Sequence, residues 1–327
     1  MQNKDKVDNA IKQMAEKDII PKNIKEVKGG VNSIILKIEE VNCNRAYALK
    51  FYNRENARNR QNAEIRFIKN ARVNASEECP EIVMHDEVNM WTLLSWIEGK
   101  KPEKLSGDDI EQIGRFIGLT NLGLKDKDQK MELGMARDSY TSIDILIKNI
   151  HNRMVSIRRL INNQSSTERK LEIDEICNFL EIKARDAITN LKTKKNNYYW
   201  NIKSKDLIMS PSDVGIHNTI RTVNGLSFID FEYAGYDDLS KAASDWADQP
   251  NYIYSSDERD RLIKSLKANL YWIGEEWIYR YQDTQRINKI KWCFIIMKQV
   301  ILGEERTKKL DEIKEYIRKA GLNSTPD

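Results

Sequence analysis

Apolar residues alternate with polar ones through much of the first hundred positions and then recur every three to four. The chain therefore reads as a sheet-forming part followed by a helical one. "SIILKIEEV" and "RAYALKFY" are β-rich runs joined by the turn-like "NCNR". In the second run Tyr47, Leu49 and Phe51 share one face, with Ala48 and Lys50 on the other, as a period of two requires. "EIVMHDEV" and "WTLLSWIE" predict another strand pair around Asn89. Between the two pairs, "RENARNRQNAEIRFIKNA" has helix formers and a short apolar stripe, so the predicted order is strands, one helix, strands.

From about residue 102 the period becomes 3.6. "LSGDDIEQIGRFIGL" opens with Ser106 as N-cap and Asp109 three residues later, a capping-box arrangement. Ile143, Leu146, Ile150, Met154, Ile157 and Ile161 make one long stripe. Beyond the polar break "NNQSSTE", Ile173, Ile176, Leu180, Ala184, Ala187 and Leu191 make a second. Two such stripes predict a helical hairpin whose aliphatic faces are core. After "FEYAG" the chain returns to helices and ends in the charged "DEIKEYIRKAGLNSTPD", with no internal repeat or low-complexity linker. "EGKKP", residues 98–102, is the candidate division between two lobes.

Composition narrows the partners. The chain has 327 residues, enough for one large domain or two lobes, and a charged fraction of 32% argues for a water-facing surface. A net charge of +4 with both signs interleaved does not point to nucleic acid or an anionic membrane, and no basic-aromatic module for RNA is visible. Cys43, Cys79, Cys177 and Cys293 lie far apart with no CxxC pair, and read as free thiols in a reducing compartment. The polar start is not a secretory signal, and "WCFIIMKQVIL" is broken by Lys298 and too short to span a bilayer. The expectation is a soluble cytoplasmic protein, its oligomeric state left open.

Several residues could carry chemistry. Gly29 and Gly30 in "VKGGVNS", between two predicted strands, would let backbone N–H groups approach a phosphate; a plain Gly-Gly hairpin turn fits equally. Lys50, inside an apolar run, must snorkel out or meet a negative partner, and Glu64 on the following helix is the candidate. Asp213 and Asn218 lie in a loop after "DLIM", with Gly215 between them, and Asp230 follows the short strand "LSFI". Oxygen ligands converging from a loop and a strand end suit Mg²⁺, and a separate Asp nearby could take a hydroxyl proton. Turn-forming Asx residues and a strand-end Asp explain the spacing taken alone. Together, the glycine turn, strand Lys, helix Glu, Asp-x4-Asn loop and strand Asp are the part list for phosphoryl transfer.

From Val27 to about Gln249 the chain resembles the aminoglycoside phosphotransferase and choline kinase superfamily of small-molecule kinases. "SPSDVGIHN" and "FIDFEYAG…DDLSKAASDWA" are the most specific parts. The resemblance implies an α+β, bilobal protein-kinase-like fold: an N-terminal nucleotide-binding lobe over residues 1–98, built on an antiparallel sheet with one helix, and a larger, mostly helical lobe over 99–327 with the catalytic loop and acceptor site. It implies ATP and Mg²⁺ as cofactors and a small-molecule acceptor. Asp213 stands where the family has the catalytic base of its H-G-D-x-x-x-x-N loop, Asn218 where it has the metal-binding Asn, and Asp230 where it has the second metal-binding Asp. Glu232 falls where choline kinase-like members carry "IDFEY", implying support of a second metal. Asp245 of "SDWA" is similar to a residue that holds the catalytic loop by hydrogen bonds. "LLSWIEGK" resembles the hinge, so the backbone of Ser95, Trp96 and Ile97 would meet adenine. One position departs: Pro211 replaces the His that braces the loop in related kinases, and its fixed φ stiffens the turn by other means.

The resemblance leaves the acceptor open. Aromatic residues crowd the C-terminal helices, and Trp246 and Tyr252, close behind the metal-binding strand, are the candidate walls for a sugar face or an ammonium group. Acidic groups there alternate with Arg and Lys and read as helix caps, so a sugar or amino alcohol ranks ahead of a polycationic aminoglycoside. The alternative function is a nucleotide-binding pseudokinase acting as a regulatory or scaffolding module.

Overall fold

The computed structural model describes residues 2–27, 33–41, 43, 45–52, 56–75, 77–125, 133–163, 169–303 and 305–323. It opens on a helix, α1 (Gln2–Ala15), which departs from the expected order of strands, one helix, strands. Val7, Ala10 and Met14 of α1 cover one face of the sheet that follows, packing with Tyr47, Leu49, Phe51, Trp91 and Leu93. This i, i+3, i+7 signal is present in the sequence.

The sheet comprises β1 (Pro21–Glu26), β2 (Ser33–Glu40), β3 (Ala46–Tyr52), β4 (Ile82–Asp86) and β5 (Trp91–Ser95). Among the described residues it is five-stranded, in the order β1-β2-β3-β5-β4, with every neighbouring pair antiparallel. In the central strand β3, Lys50 pairs with Ile35 on one side and Thr92 on the other. Because side chains alternate, the face that sends Tyr47, Leu49 and Phe51 towards α1 sends Lys50 the opposite way. That opposite side is covered by α2 (Ala57–Ala71), whose Phe67 and Ile68 are fully buried.

The helical part begins with α3 (Gly107–Thr120), and the expected capping box is present: the Ser106 hydroxyl accepts the Asp109 N–H while the Asp109 carboxylate accepts the Ser106 N–H. Arg221 clamps the same carboxylate at 2.7 and 2.9 Å. Next come α4 (Ile143–Asn162) and α5 (Lys170–Thr193), whose stripes form the predicted hairpin and pack with α8 (Glu276–Leu302) and α9 (Arg306–Lys319) in one apolar cluster. Between α5 and α8 lie the short strands β6 (Ile208–Ser210), β7 (Thr219–Thr222), β8 (Gly225–Phe228) and β9 (Gly235–Asp237), then α6 (Leu239–Ala247) and α7 (Ser256–Asn269). β6 pairs with β9 and β7 with β8, each antiparallel.

Two ring contacts of α2 join it to the helical part: Phe67 stacks on Phe231 at 4.4 Å between ring centroids and meets Phe116 of α3 at 6.3 Å. The segment after β5 is also pinned to β7: the Lys100 N–H donates to the Arg221 carbonyl at 3.1 Å and the Arg221 N–H returns to Lys100 at 2.8 Å. Gly99 permits this, since its φ is +159° and a Cβ there would lie 2.2 Å from the Arg221 carbonyl oxygen. All four cysteines are free, and among the described residues no helix is long and apolar enough to cross a membrane.

Candidate active site

The long interval between Asn218 and Asp230 is a hairpin. β7 leaves Asn218 and β8 returns, with Thr219 opposite Phe228, and the Ile229 N–H donates to the Asn218 carbonyl at 3.0 Å. The hairpin therefore brings Asn218 and Asp230, twelve positions apart, to one end of a two-stranded ribbon. Asp213 precedes it in the loop after β6, tied by the Asn218 side-chain N–H, which donates to the Asp213 carbonyl at 2.7 Å. Asp213, Asn218, Asp230 and Lys50 all line one cleft of about 640 Å³.

Lys50 is 4% exposed and crosses from the sheet into this cleft. Its ammonium lies 2.7 Å from Glu64, 2.6 Å from Asp230 and 3.4 Å from Glu232. Burial alone would lower the Lys50 pKa, but the Asp230 and Glu64 carboxylates outweigh it and hold the ammonium well above its ordinary value. Glu64, with no exposed surface, is fixed further by the Tyr52 hydroxyl and by the Phe231 N–H, which donates to it at 3.2 Å. One α2 carboxylate thus ties the sheet lysine to the backbone next to Asp230.

The loop around Asp213 is held without the usual histidine. Ser212, just before Asp213, has φ +63°, a left-handed conformation costing about 1–2 kcal/mol for an L residue. Its N–H donates to the Ser210 hydroxyl at 3.1 Å, and the buried Lys241 ammonium reaches its hydroxyl at 3.4 Å. Lys241, on α6, is itself clamped by Asp237 at 2.8 Å and Asp245 at 2.6 Å. Burial, only partly offset by Lys241, pushes the Asp237 carboxyl up to about 6. Asp245, expected to hold the loop by its own hydrogen bonds, binds Lys241 and Lys291 instead, and Lys241 makes the contact to the loop.

The remaining expected site residues fall in different places. Gly29 and Gly30 lie outside the described residues. The hinge candidates Ser95, Trp96 and Ile97 leave the sheet beside β3, where the Trp96 N–H donates to the Ala46 carbonyl at 3.0 Å; Ile97 makes no hydrogen bond among the described residues. Glu232 lines the cleft, yet both oxygens are engaged, one by Arg60 at 3.1 Å and the other by the Ser33 hydroxyl at 3.0 Å. These contacts tie Glu232 to β2 and α2 at the cleft. Trp246 is not a cleft wall. It is 1% exposed, and all of α6 is buried, so its ring meets Phe228 edge-on in the core. Tyr252 packs edge-on against Tyr254 and donates to Glu258, also away from the cleft lining. Among the described residues the aromatic side chains Tyr233, Trp292 and Tyr316 line the cleft. The sequence reading also missed His217, whose Nε2 is 3.7 Å from Asp213, and the cation Arg137, which lies over the Tyr233 ring at 4.4 Å.

The donor set fits a hard cation. Asn218 spends its amide N–H on the Asp213 carbonyl, and its Oδ1 accepts no hydrogen bond from a described residue. Asp230 gives one oxygen to Lys50, while its side chain stays 35% exposed. An amide oxygen and a carboxylate oxygen, with phosphate and water completing the shell, match Mg²⁺. Among the described residues no group of three or more His, Cys, Asp or Glu could hold a metal unaided. The Asp213 carboxylate accepts no hydrogen bond from a described residue and is 36% exposed, so it is available to a group entering the cleft.

No family model and no curated protein matches the chain. Solved structures do. A spectinomycin phosphotransferase, solved with ADP and spectinomycin, superimposes with a TM-score of 0.65 at 12% identity, covering 96% of this chain and 97% of its own. An ethanolamine kinase from Plasmodium vivax gives 0.61 at 15% identity, over 91% and 82%. A choline kinase from Cryptosporidium parvum gives 0.54 at 13% identity, over 92% and 89%. At such identities the likeness is one of fold, and it covers nearly the whole chain: this is the two-lobed, protein-kinase-like architecture of small-molecule phosphotransferases.

Proposed function

We propose that the protein is an ATP-dependent phosphotransferase that moves the γ-phosphate to a hydroxyl of a small polar metabolite. One observation carries this reading: Lys50 sits 2.7 Å from Glu64 and 2.6 Å from Asp230 on the same cleft as Asp213 and Asn218. Residues 1–98 would hold the nucleotide, with the Ile97 backbone at adenine, and Gly29, Gly30 and Lys50 at the phosphates. Residues 99–327 would supply the catalytic loop and the acceptor site. Asp213 orients the acceptor hydroxyl and takes its proton, while Lys50, held by Glu64, draws the phosphates into line. Bound Mg²⁺ would neutralise the charge on the transferring group, and Asp230 and Asn218 would hold it. A small, sparsely charged acceptor ranks ahead of a polycationic aminoglycoside, because the cleft lining includes Arg137 and Lys298, neither in an ion pair among the described residues.

Thermal denaturation tests the nucleotide half. ATP with Mg²⁺ should stabilise the protein, by about 2.7 kcal/mol at a ligand concentration a hundred times Kd, and EDTA should remove most of that gain. Asp230→Ala should stabilise equally little with and without Mg²⁺. Equal stabilisation of the unaltered protein by ATP in EDTA and in Mg²⁺ would count against the metal assignment.

A further inference from the structure

The cleft runs past Asp213 to a wall built by α8 and α9. Lys291, Trp292, Ile295, Lys298 and Leu302 recur along one face of α8, at the spacing that puts them side by side. Opposite the sheet, where Lys50 meets the phosphate-binding groups, this end is lined by many cations. Most are matched. Arg153 pairs with Asp138, Lys291 with Asp245 at 2.9 Å, Lys309 with Glu312 at 2.7 Å and Lys319 with Glu315 at 3.1 Å. Arg137 and Lys298 make no ion pair among the described residues, and both are exposed to the cleft.

Arg137 adjoins the loop that carries Asp213. The Ser212 hydroxyl points at the Arg137 carbonyl at 3.5 Å, and the guanidinium lies over the ring of Tyr233, another cleft residue. Its N–H donors have no partner among the described residues, and a planar fork of that kind matches a carboxylate or phosphate. The local field has the same sign. Burial would push the Asp138 carboxyl up, but Arg153, Lys291, Lys241 and Arg137 around it hold it below its ordinary value. A cationic acceptor entering here would meet repulsion on one side and, among the described residues, no unpaired carboxylate beyond Asp213.

We propose that the acceptor is an anionic hydroxyl compound, a small polyol bearing a carboxylate or phosphate, whose oxyanion docks on Arg137 with Lys298 extending the positive rim. This rests on the phosphotransferase reading and narrows it: it selects the acid relatives of sugars and excludes amino alcohols. Trp292 and Ile295 supply an apolar floor for the carbon skeleton.

The test measures acceptor-dependent ADP release, and binding in the presence of a non-hydrolysable Mg-ATP analogue, for two matched series. One is glycerol, glycerate, glycerol 3-phosphate and ethanolamine; the other is glucose, gluconate, glucose 6-phosphate and glucosamine. An anionic member should bind or turn over about tenfold to a hundredfold better than its neutral partner, as expected for a hydrogen-bonded charge pair. The carboxylate and phosphate arms tell which oxyanion is used. Arg137→Gln should erase that advantage by raising the acceptor KM, with the Kd for Mg-ATP within about twofold of the unaltered protein. A neutral or amino member preferred, or no anionic member better than its partner, overturns the charge assignment while Mg-ATP binding leaves the nucleotide reading standing. Loss of Mg-ATP binding in the unaltered protein overturns both.

Discussion

Replacing Asp213 by Ala is expected to lower kcat by about 10²- to 10⁴-fold, the usual contribution of a positioned general base, while Mg-ATP affinity stays near that of the unaltered protein. The expectation follows from position. Asp213 is held by its backbone, through the Asn218 amide and the Ser212 turn, so its carboxylate, with His217 Nε2 at 3.7 Å, accepts no hydrogen bond from a described residue. Among the described residues every other cleft carboxylate is engaged by a cation: Asp230 by Lys50, Glu232 by Arg60, Asp138 by Arg153, Asp245 by Lys241, Glu312 by Lys309 and Glu315 by Arg318. The loop geometry does not depend on the Asp213 side chain, so the variant should fold with an unchanged melting temperature. Asp213→Asn keeps the shape and should be nearly as slow. A kcat for Asp213→Ala within a few-fold of the unaltered enzyme would remove Asp213 from the chemistry.

Lys50→Ala should cost both stability and nucleotide. It strips the ammonium from between Glu64, Asp230 and Glu232, two of which are buried. Removing one partner of a buried ion pair costs about 3–5 kcal/mol, because the remaining carboxylate stays desolvated and unpaired. The denaturation midpoint should fall accordingly, and the stabilisation by Mg-ATP should shrink as the phosphates lose their cation. Adding Glu64→Gln separates the two effects: the double variant should regain much of the lost stability, since the orphan charge is gone, but not the nucleotide response. A Lys50→Ala protein as stable as the parent, with undiminished Mg-ATP stabilisation, would contradict the network as drawn.

How much of this was legible in the sequence depends on what kind of signal each part carries. Strand alternation in "RAYALKFY" separated Tyr47, Leu49 and Phe51 from Lys50, and the structure buries the first three under α1 while Lys50 meets Glu64. The Ser106–Asp109 cap and the α4–α5 stripes are local periodicities and were readable for the same reason. Asp213, Asn218 and Asp230 were visible as a spaced set, although that a β7–β8 hairpin closes the gap emerges only from the pairing. What escaped lies in tertiary convergence. Lys241 reaches the Asp213 loop from α6, a helix whose every residue is buried, and no spacing foretells that contact. The same burial defeats the assignment of Trp246, which proximity along the chain had put at the acceptor. Arg137 and the α8 residues Trp292 and Lys298 come from two distant stretches and meet only because α8 packs along the cleft. α1 is a different case: its stripe of Val7, Ala10 and Met14 was present in the sequence and was not read.

The central claim is that a phosphoryl group leaves ATP for a hydroxyl in this cleft, and label transfer tests it most directly. Incubated with γ-labelled ATP, Mg²⁺ and a broad set of small hydroxyl compounds, the protein should place label in an acid-stable, low-mass phosphate ester. The product should vanish with EDTA and with Asp213→Ala. A protein that binds Mg-ATP tightly yet transfers label to no compound in the set, with Asp213→Ala indistinguishable from the parent, would contradict the claim and identify a nucleotide-binding module without transfer chemistry.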